Sequence, residues 1–146
     1  MSGRVVVIGI LVASVLFATG LWYYQVHAYY ERITGVTLID VAGNAVPVSG
    51  YDGIDAFTSP LKIRACFRTD PAVFADLPAA QDAAPLVAPY WFECFAADAI
   101  TADLAVGRAV AHVAEDTTPD GVDYSILTYV AIYPDGRGFL WRQFQE

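Results

Sequence analysis

Residues 124–144, YSILTYVAIYPDGRGFLWRQF, hold two runs of strand-forming residues, Tyr124–Tyr133 and Gly138–Phe144, on either side of Pro134-Asp135-Gly136. Proline presets φ at a turn's first central position, aspartate bonds its own backbone and glycine accepts positive φ, so the tripeptide is turn chemistry. A second such connection, Pro119-Asp120-Gly121, follows a third run at Arg108–Ala114. Two successive hairpins predict an antiparallel meander. Along the last strand Phe139 and Trp141 share one face while Leu140, Arg142 and Phe144 share the other, so both faces carry bulky apolar groups. Such a sheet expects cover on both sides, and Phe139, Trp141 and Phe144 are candidates for contact with a partner, with cover by the chain itself as the alternative.

Working toward the N-terminus, Thr101 reads as the cap of a short helix, Ala102 to about Val106, ended by Gly107. Gln81–Pro89 is Ala/Pro-rich and reads as a loop leading into the aromatic segment Tyr90–Phe95. Asp70 before Pro71 is an N-cap and N1 pair, predicting a helix that fades at Pro78. Leu61–Arg68 alternates as a strand, with Leu61, Ile63, Ala65 and Phe67 on one face and Lys62, Arg64, Cys66 and Arg68 on the other. Asp52-Gly53-Ile54-Asp55 reads as a turn, and Thr37–Val41 with Ala45–Val48 as a hairpin about Gly43-Asn44. The expected fold class is α+β: an antiparallel sheet with short helices packed on it.

Upstream of this domain, Val5–Tyr24 (VVVIGILVASVLFATGLWYY) runs without a charge. As a helix it spans about 30 Å, the thickness of a bilayer's hydrocarbon core. Trp22, Tyr23 and Tyr24 close it as an interfacial belt would. The expected organisation is a cytoplasmic N-terminus at 1–4, a transmembrane helix with its interfacial end at 5–29, and a periplasmic domain at 30–146. The orientation follows from Arg4 and the terminal amine against Arg32 alone beyond the helix. A cleaved signal peptide is the competing reading, since Ala18-Thr19-Gly20 offers small residues for a peptidase, but the apolar run exceeds a usual h-region. Small residues recur four apart, Gly9 with Ala13 and Ser14 with Ala18, a spacing that lets a neighbouring helix approach.

Composition excludes several classes. With 146 residues, 56% hydrophobic, 16% charged and a net charge of −8, the chain is too apolar to be disordered and too short for a multi-span transporter. Setting Arg4 aside leaves 7 basic against 16 acidic residues, which excludes nucleic acid as a partner. A single lysine amid abundant Ala, Val, Arg and Asp is the codon bias of a GC-rich genome, and points to a bacterial inner membrane. Cys66 and Cys94, both in the outer domain, are expected to form a disulfide there.

Three constellations could carry chemistry. Lys62, Arg64 and Arg68 form a basic strand face that could meet an anionic ligand or lipid headgroup, or pair with carboxylates across strands. Glu115, Asp116, Asp120 and Asp123 cluster about a turn but lack the order of a calcium loop, so no metal site is expected. His112 lies on a predicted strand without a nucleophile elbow, a His-Glu-x-x-His or a phosphate loop, so neither catalytic residues nor a cofactor are expected.

The segments Tyr51-Asp52-Gly53-Ile54-Asp55, Arg64-Ala65-Cys66-Phe67, Trp91-Phe92-Glu93-Cys94-Phe95 and Ile132-Tyr133-Pro134-Asp135-Gly136-Arg137 resemble an uncharacterised single-pass family of purple-bacterial (Rhodobacter-like) alphaproteobacteria. The resemblance covers most of the chain; it implies the anchored topology and no catalytic residues. The functional expectation is a non-catalytic single-pass accessory or assembly subunit of an inner-membrane complex, respiratory or photosynthetic, in contact with membrane lipid and other subunits. The alternative is a membrane-anchored periplasmic binding or sensor module for an anionic ligand or lipid headgroup.

Overall fold

The computed structural model describes residues 2–145; Met1 and Glu146, the outermost residues of the expected segments, lie outside them. The chain divides into two compact units, Met1–Tyr30 and Glu31–Glu146. The first is helix α1 (Gly3–Tyr23) continued by a π-helical turn at Tyr24–Ala28. No residue of α1 is buried, and Gly3–Ala28 is long and apolar enough to cross a membrane. The Ser14 hydroxyl donates to the Ile10 carbonyl 2.8 Å away, so the helix satisfies its own polar side chain, as a lipid environment requires.

The second unit is α+β. Its strands are β1 (Glu31–Thr34), β2 (Leu38–Val41), β3 (Asn44–Pro47), β4 (Ser49–Asp55), β5 (Arg64–Arg68), β6 (Val110–Asp116), β7 (Ser125–Ile132) and β8 (Arg137–Gln145), with one α-helix, α2 (Ala97–Ala105). Six strands form one antiparallel sheet in the order β1-β4-β5-β8-β7-β6, while β2 and β3 pair separately. The expected meander is present as β6-β7-β8.

Both faces of the sheet are covered by the chain itself. On one, Ala65, Phe67, Val130, Ile132 and Leu140 pack beneath Ile39, Val41, Val46 and Val48 of the β2-β3 hairpin and beneath Phe74. Phe67 lies over its cross-strand neighbour Gly138, where a Cβ would come within 2.2 Å of the ring. On the other, Trp141, Tyr129, Phe139 and Arg64 lie beneath a strap formed by residues 79–105. Phe95 of the strap meets Phe139 and Trp141 edge-on at 6.0 and 6.3 Å, and Trp141 stacks on Tyr129 at 5.9 Å. Each large side chain so buried contributes about 1.5–3 kcal/mol.

Four local expectations need correction. The first hairpin turns at Ala42-Gly43, with φ of 53° and 81°, one residue before Gly43-Asn44. That register buries Val41 and Val46 together, and the Asp40 carboxylate holds the turn by accepting from the Gly43 N–H at 2.9 Å. Asp52–Asp55 is the middle and end of β4 rather than a turn. The helix after Asp70 is one 3₁₀ turn, Pro71–Phe74, because Phe74 is drawn into the core while Val73 stays exposed. Helix α2 starts at Ala97 rather than after Thr101, whose hydroxyl instead donates back to the Ala97 carbonyl at 2.8 Å.

Candidate functional site

The strap and the sheet face beneath it gather most residues singled out in the sequence. Cys66 on β5 is bonded to Cys94 in the strap, with an S–S distance of 2.13 Å and a sequence separation of 28. Arg64, two residues away on the same face, is 5% exposed. Its guanidinium donates to the carbonyls of Leu86 at 2.9 Å and Val87 at 3.3 Å, and to those of Leu61 and Ile63 at 2.5 and 2.6 Å. Phe95 lies 5.9 Å from it as a cation–π partner. The delocalised fork of arginine suits this role, since one side chain satisfies several loop carbonyls that would otherwise be buried unpaired.

Gln143 works the same way at the other end of the strap. Its side-chain oxygen accepts from Ala84 N–H at 2.7 Å and Trp141 Nε1 at 3.0 Å, and its amide donates to the Asp82 carbonyl at 2.8 Å. Among the described residues, no buried side-chain polar atom lacks a partner. The expected basic stripe of Lys62, Arg64 and Arg68 is therefore not one exposed surface. Arg64 is spent on backbone carbonyls, Lys62 sits in a 3₁₀ turn, and Arg68 is exposed at the far end of β5, with Nη1 3.4 Å from the Asp135 carbonyl. Likewise Phe139 and Trp141 are 8% and 0% exposed inside their own domain, which removes them from partner contact. Phe144 alone of the three faces outward, 52% exposed and edge-on to Tyr124 at 5.3 Å.

His112 is buried on β6 against Phe74, ring centres 5.5 Å apart, with Nδ1 3.0 Å from the Pro78 carbonyl. A carbonyl only accepts, so Nδ1 is the donor. The ring lines a shallow groove of about 280 Å³ with Pro71, Phe74, Val110 and Ile132 as its apolar walls. Tyr133 also lines this groove; its hydroxyl donates to Asp103 on α2 at 2.7 Å. Burial first, and then that bond to the carboxylate, push the phenol up to about 12. In the groove the imidazole Nδ1 is thus bonded to a backbone carbonyl and the phenol proton to a carboxylate.

The acidic segment Glu115–Asp123 ends β6 and runs into the connection to β7. Asp116 accepts from the hydroxyl and the backbone N–H of Thr118, and these bonds hold its carboxyl below the usual range. No group of three or more His, Cys, Asp or Glu side chains placed to hold a metal ion occurs among the described residues. In the helix, Gly9, Ala13, Ser14 and Ala18 are all exposed. At 100° per residue the pair Gly9/Ala13 lies about 140° around the axis from Ser14/Ala18, giving two close-approach faces rather than one.

Sequence reasoning assigned faces well but missed four residues that organise the domain: Gln143, Asp103 and the bidentate pair of Arg32 with Asp52, at 2.7 and 2.6 Å, which fastens β1 to β4. Only the strict alternation of β8 offered a signal, by pointing Gln143 to the same face as Trp141.

Residues 33–146 match a family of unknown function, DUF6446. No curated protein and no solved structure matches the chain.

Proposed function

The chain belongs to the DUF6446 family, and we propose that it is a non-catalytic single-pass accessory or assembly subunit of a bacterial inner-membrane complex. In this reading α1 spans the membrane from a cytoplasmic N-terminus, the domain lies in the periplasm, and the complex is respiratory or photosynthetic in an alphaproteobacterium. The observation that carries the reading is the use made of the buried polar groups. Arg64 and Gln143, which a binding pocket or active site would aim into a cavity, are each spent on backbone groups of the strap. Such a domain is a rigid body whose recognition is left to its rims and to its helix. The disulfide supports the periplasmic side, because a thiol pair persists as a bond in an oxidising compartment. The two small-residue faces of α1 offer the close approach that helix packing in lipid uses.

The test is purification of the tagged protein, at native level, from its own membranes in a mild detergent, with mass spectrometry of what remains bound in stoichiometric amount. A defined set of membrane subunits is the expected result. A lone monomer would overturn the reading.

A further inference from the structure

The exposed aromatic rings of the domain are gathered at one end of its sheet. Among the described residues of the second unit these are Phe57 at 84% exposure, Tyr90 at 69%, Phe144 at 52% and Tyr124 at 45%. Strand register fixes their common position. Glu31, where β1 begins, pairs with Asp55, where β4 ends, and Phe57 follows two residues later. Arg64, at the start of β5, lies at this same end and accepts the strap there: its Nη2 bonds the carbonyl of Val87, itself 78% exposed. Tyr90 is two residues from Phe92, whose ring lies 5.7 Å from the Arg32 guanidinium. Ser125 pairs with Gln145, which puts Tyr124 and Phe144 at this end too, nearer the far edge. The opposite end of the sheet, at Arg68–Asp70 and Pro134–Gly136, exposes Leu38, Val73, Val106 and Val110 but no aromatic ring.

The aromatic end is also the tethered end. Only Tyr29 and Tyr30 separate Ala28, the last helical residue, from Glu31 in the sheet. Even fully extended, that connection spans roughly 10 Å, comparable to the headgroup layer of one leaflet. Tyrosine and phenylalanine favour such an interface because the ring leaves water while any polar tip stays wet. A tether this short holds the surface at high effective concentration, so even a few rings engage.

We infer that the tethered end of the domain, through Phe57, Val87 and Tyr90, rests in the headgroup interface of the bilayer that α1 spans. The inference stands on the membrane-anchor reading and adds to it a lipid contact through Phe57, Val87 and Tyr90. The occupant is lipid rather than a protein neighbour, because the tether brings this end to the bilayer whether or not any partner is present.

The test uses the full chain at low density in vesicles of phosphatidylethanolamine and phosphatidylglycerol, with the native disulfide left oxidised. Nitroxides are placed on single introduced cysteines at Thr58 and Ala88 beside the rings, at Val73 on the opposite end, and at Val12 within the helix. Power saturation with oxygen and with a water-soluble nickel chelate reads their depth. The expected result is an oxygen-to-nickel ratio at Thr58 and Ala88 several-fold above that at Val73, and its collapse to the Val73 value in a Phe57→Ser, Val87→Ser, Tyr90→Ser variant whose far-UV circular dichroism and urea midpoint are unchanged. Nickel access at Thr58 and Ala88 equal to Val73, with Val12 protected, would overturn the inference and leave the anchor standing. Nickel access at Val12 would overturn both. Protection at Thr58 in native membranes but not in these vesicles would assign the surface to a protein partner and overturn the lipid inference.

Discussion

Replacing both Cys66 and Cys94 by alanine removes the disulfide cross-link between the central sheet and the strap, and its cost follows from chain entropy. The bond closes a loop with a separation of 28 residues. Releasing a loop of that length gives the unfolded chain about 12 cal/mol/K, so the variant loses about 3.6 kcal/mol at room temperature. Set against a total of roughly 5–15 kcal/mol for a small domain, that is a large share. With a urea m-value of roughly 1.5 kcal/mol/M, the unfolding midpoint drops by about 2.4 M. The assay is urea titration of the full chain in a non-denaturing detergent, following the summed fluorescence of Trp22, Trp91 and Trp141, of which Trp141 is fully buried and stacked on Tyr129. Formation of the bond in the parent is first established by the mass gained on alkylation with and without reductant. An unchanged m with the full shift supports the entropic account. A shift below about 0.7 M, with the bond proven present in the parent, would refute it, because the strap would then be constrained in the unfolded chain by something else.

Three further outcomes are expected. Arg64→Met orphans the carbonyls of Leu86 and Val87 along with those of Leu61 and Ile63 and costs about 3 kcal/mol, whereas Arg68→Met at the exposed end of the same strand stays within about 0.5 kcal/mol; denaturant midpoints compare the two. Ala42→Asn places a residue suited to positive φ at the first position of the β2-β3 turn and raises stability by about 0.5–1 kcal/mol, read as a higher midpoint. Tyr133 keeps its proton in the folded chain to about 12 against 10.0 for an ordinary tyrosine, so the fold binds more protons than the unfolded chain in that window. Its contribution is full below the ordinary value and is lost as pH rises through the folded one, so the alkaline loss of stability is shallower in Tyr133→Phe, and the highest-titrating tyrosinate absorbance disappears.

Where local propensity and tertiary demand agreed, the sequence was readable. The strands of the meander, the turn at Pro134-Asp135-Gly136 and the proline-led start at Pro71 all follow from residues acting on their immediate neighbours. The misreadings fall where a distant contact decides. Asp52-Gly53 has turn composition, yet Gly53 is there because a Cβ would meet the Tyr51 ring at 2.8 Å, and Asp52 because Arg32 grips it from β1. Ala42 takes a left-handed conformation that its own propensity opposes, because the alternative register would turn Val41 and Val46 outward. Strand β1 is short and polar, and backbone pairing with β4, that ion pair and the packing of Ile33 against the core hold it in the sheet.

The candidate site teaches a sharper point about alternation. A period of two assigned Arg64, Cys66, Phe139 and Trp141 to faces in agreement with the structure, but a face is exposed only if nothing covers it. The information that something does was present in the cysteines. A bond from Cys66 to Cys94 pulls the segment before Cys94 across the face that Cys66 shares with Arg64, and that segment brings a run of backbone carbonyls with it. An arginine beneath such a run is a structural donor, and rings beneath it are core. Cover on the opposite face by the β2-β3 hairpin then leaves the sheet with neither face free. Whatever this domain recognises must meet its ends or its edges, and the sheet end at Glu31, Asp55 and Arg64 is the one that keeps its aromatic rings outside.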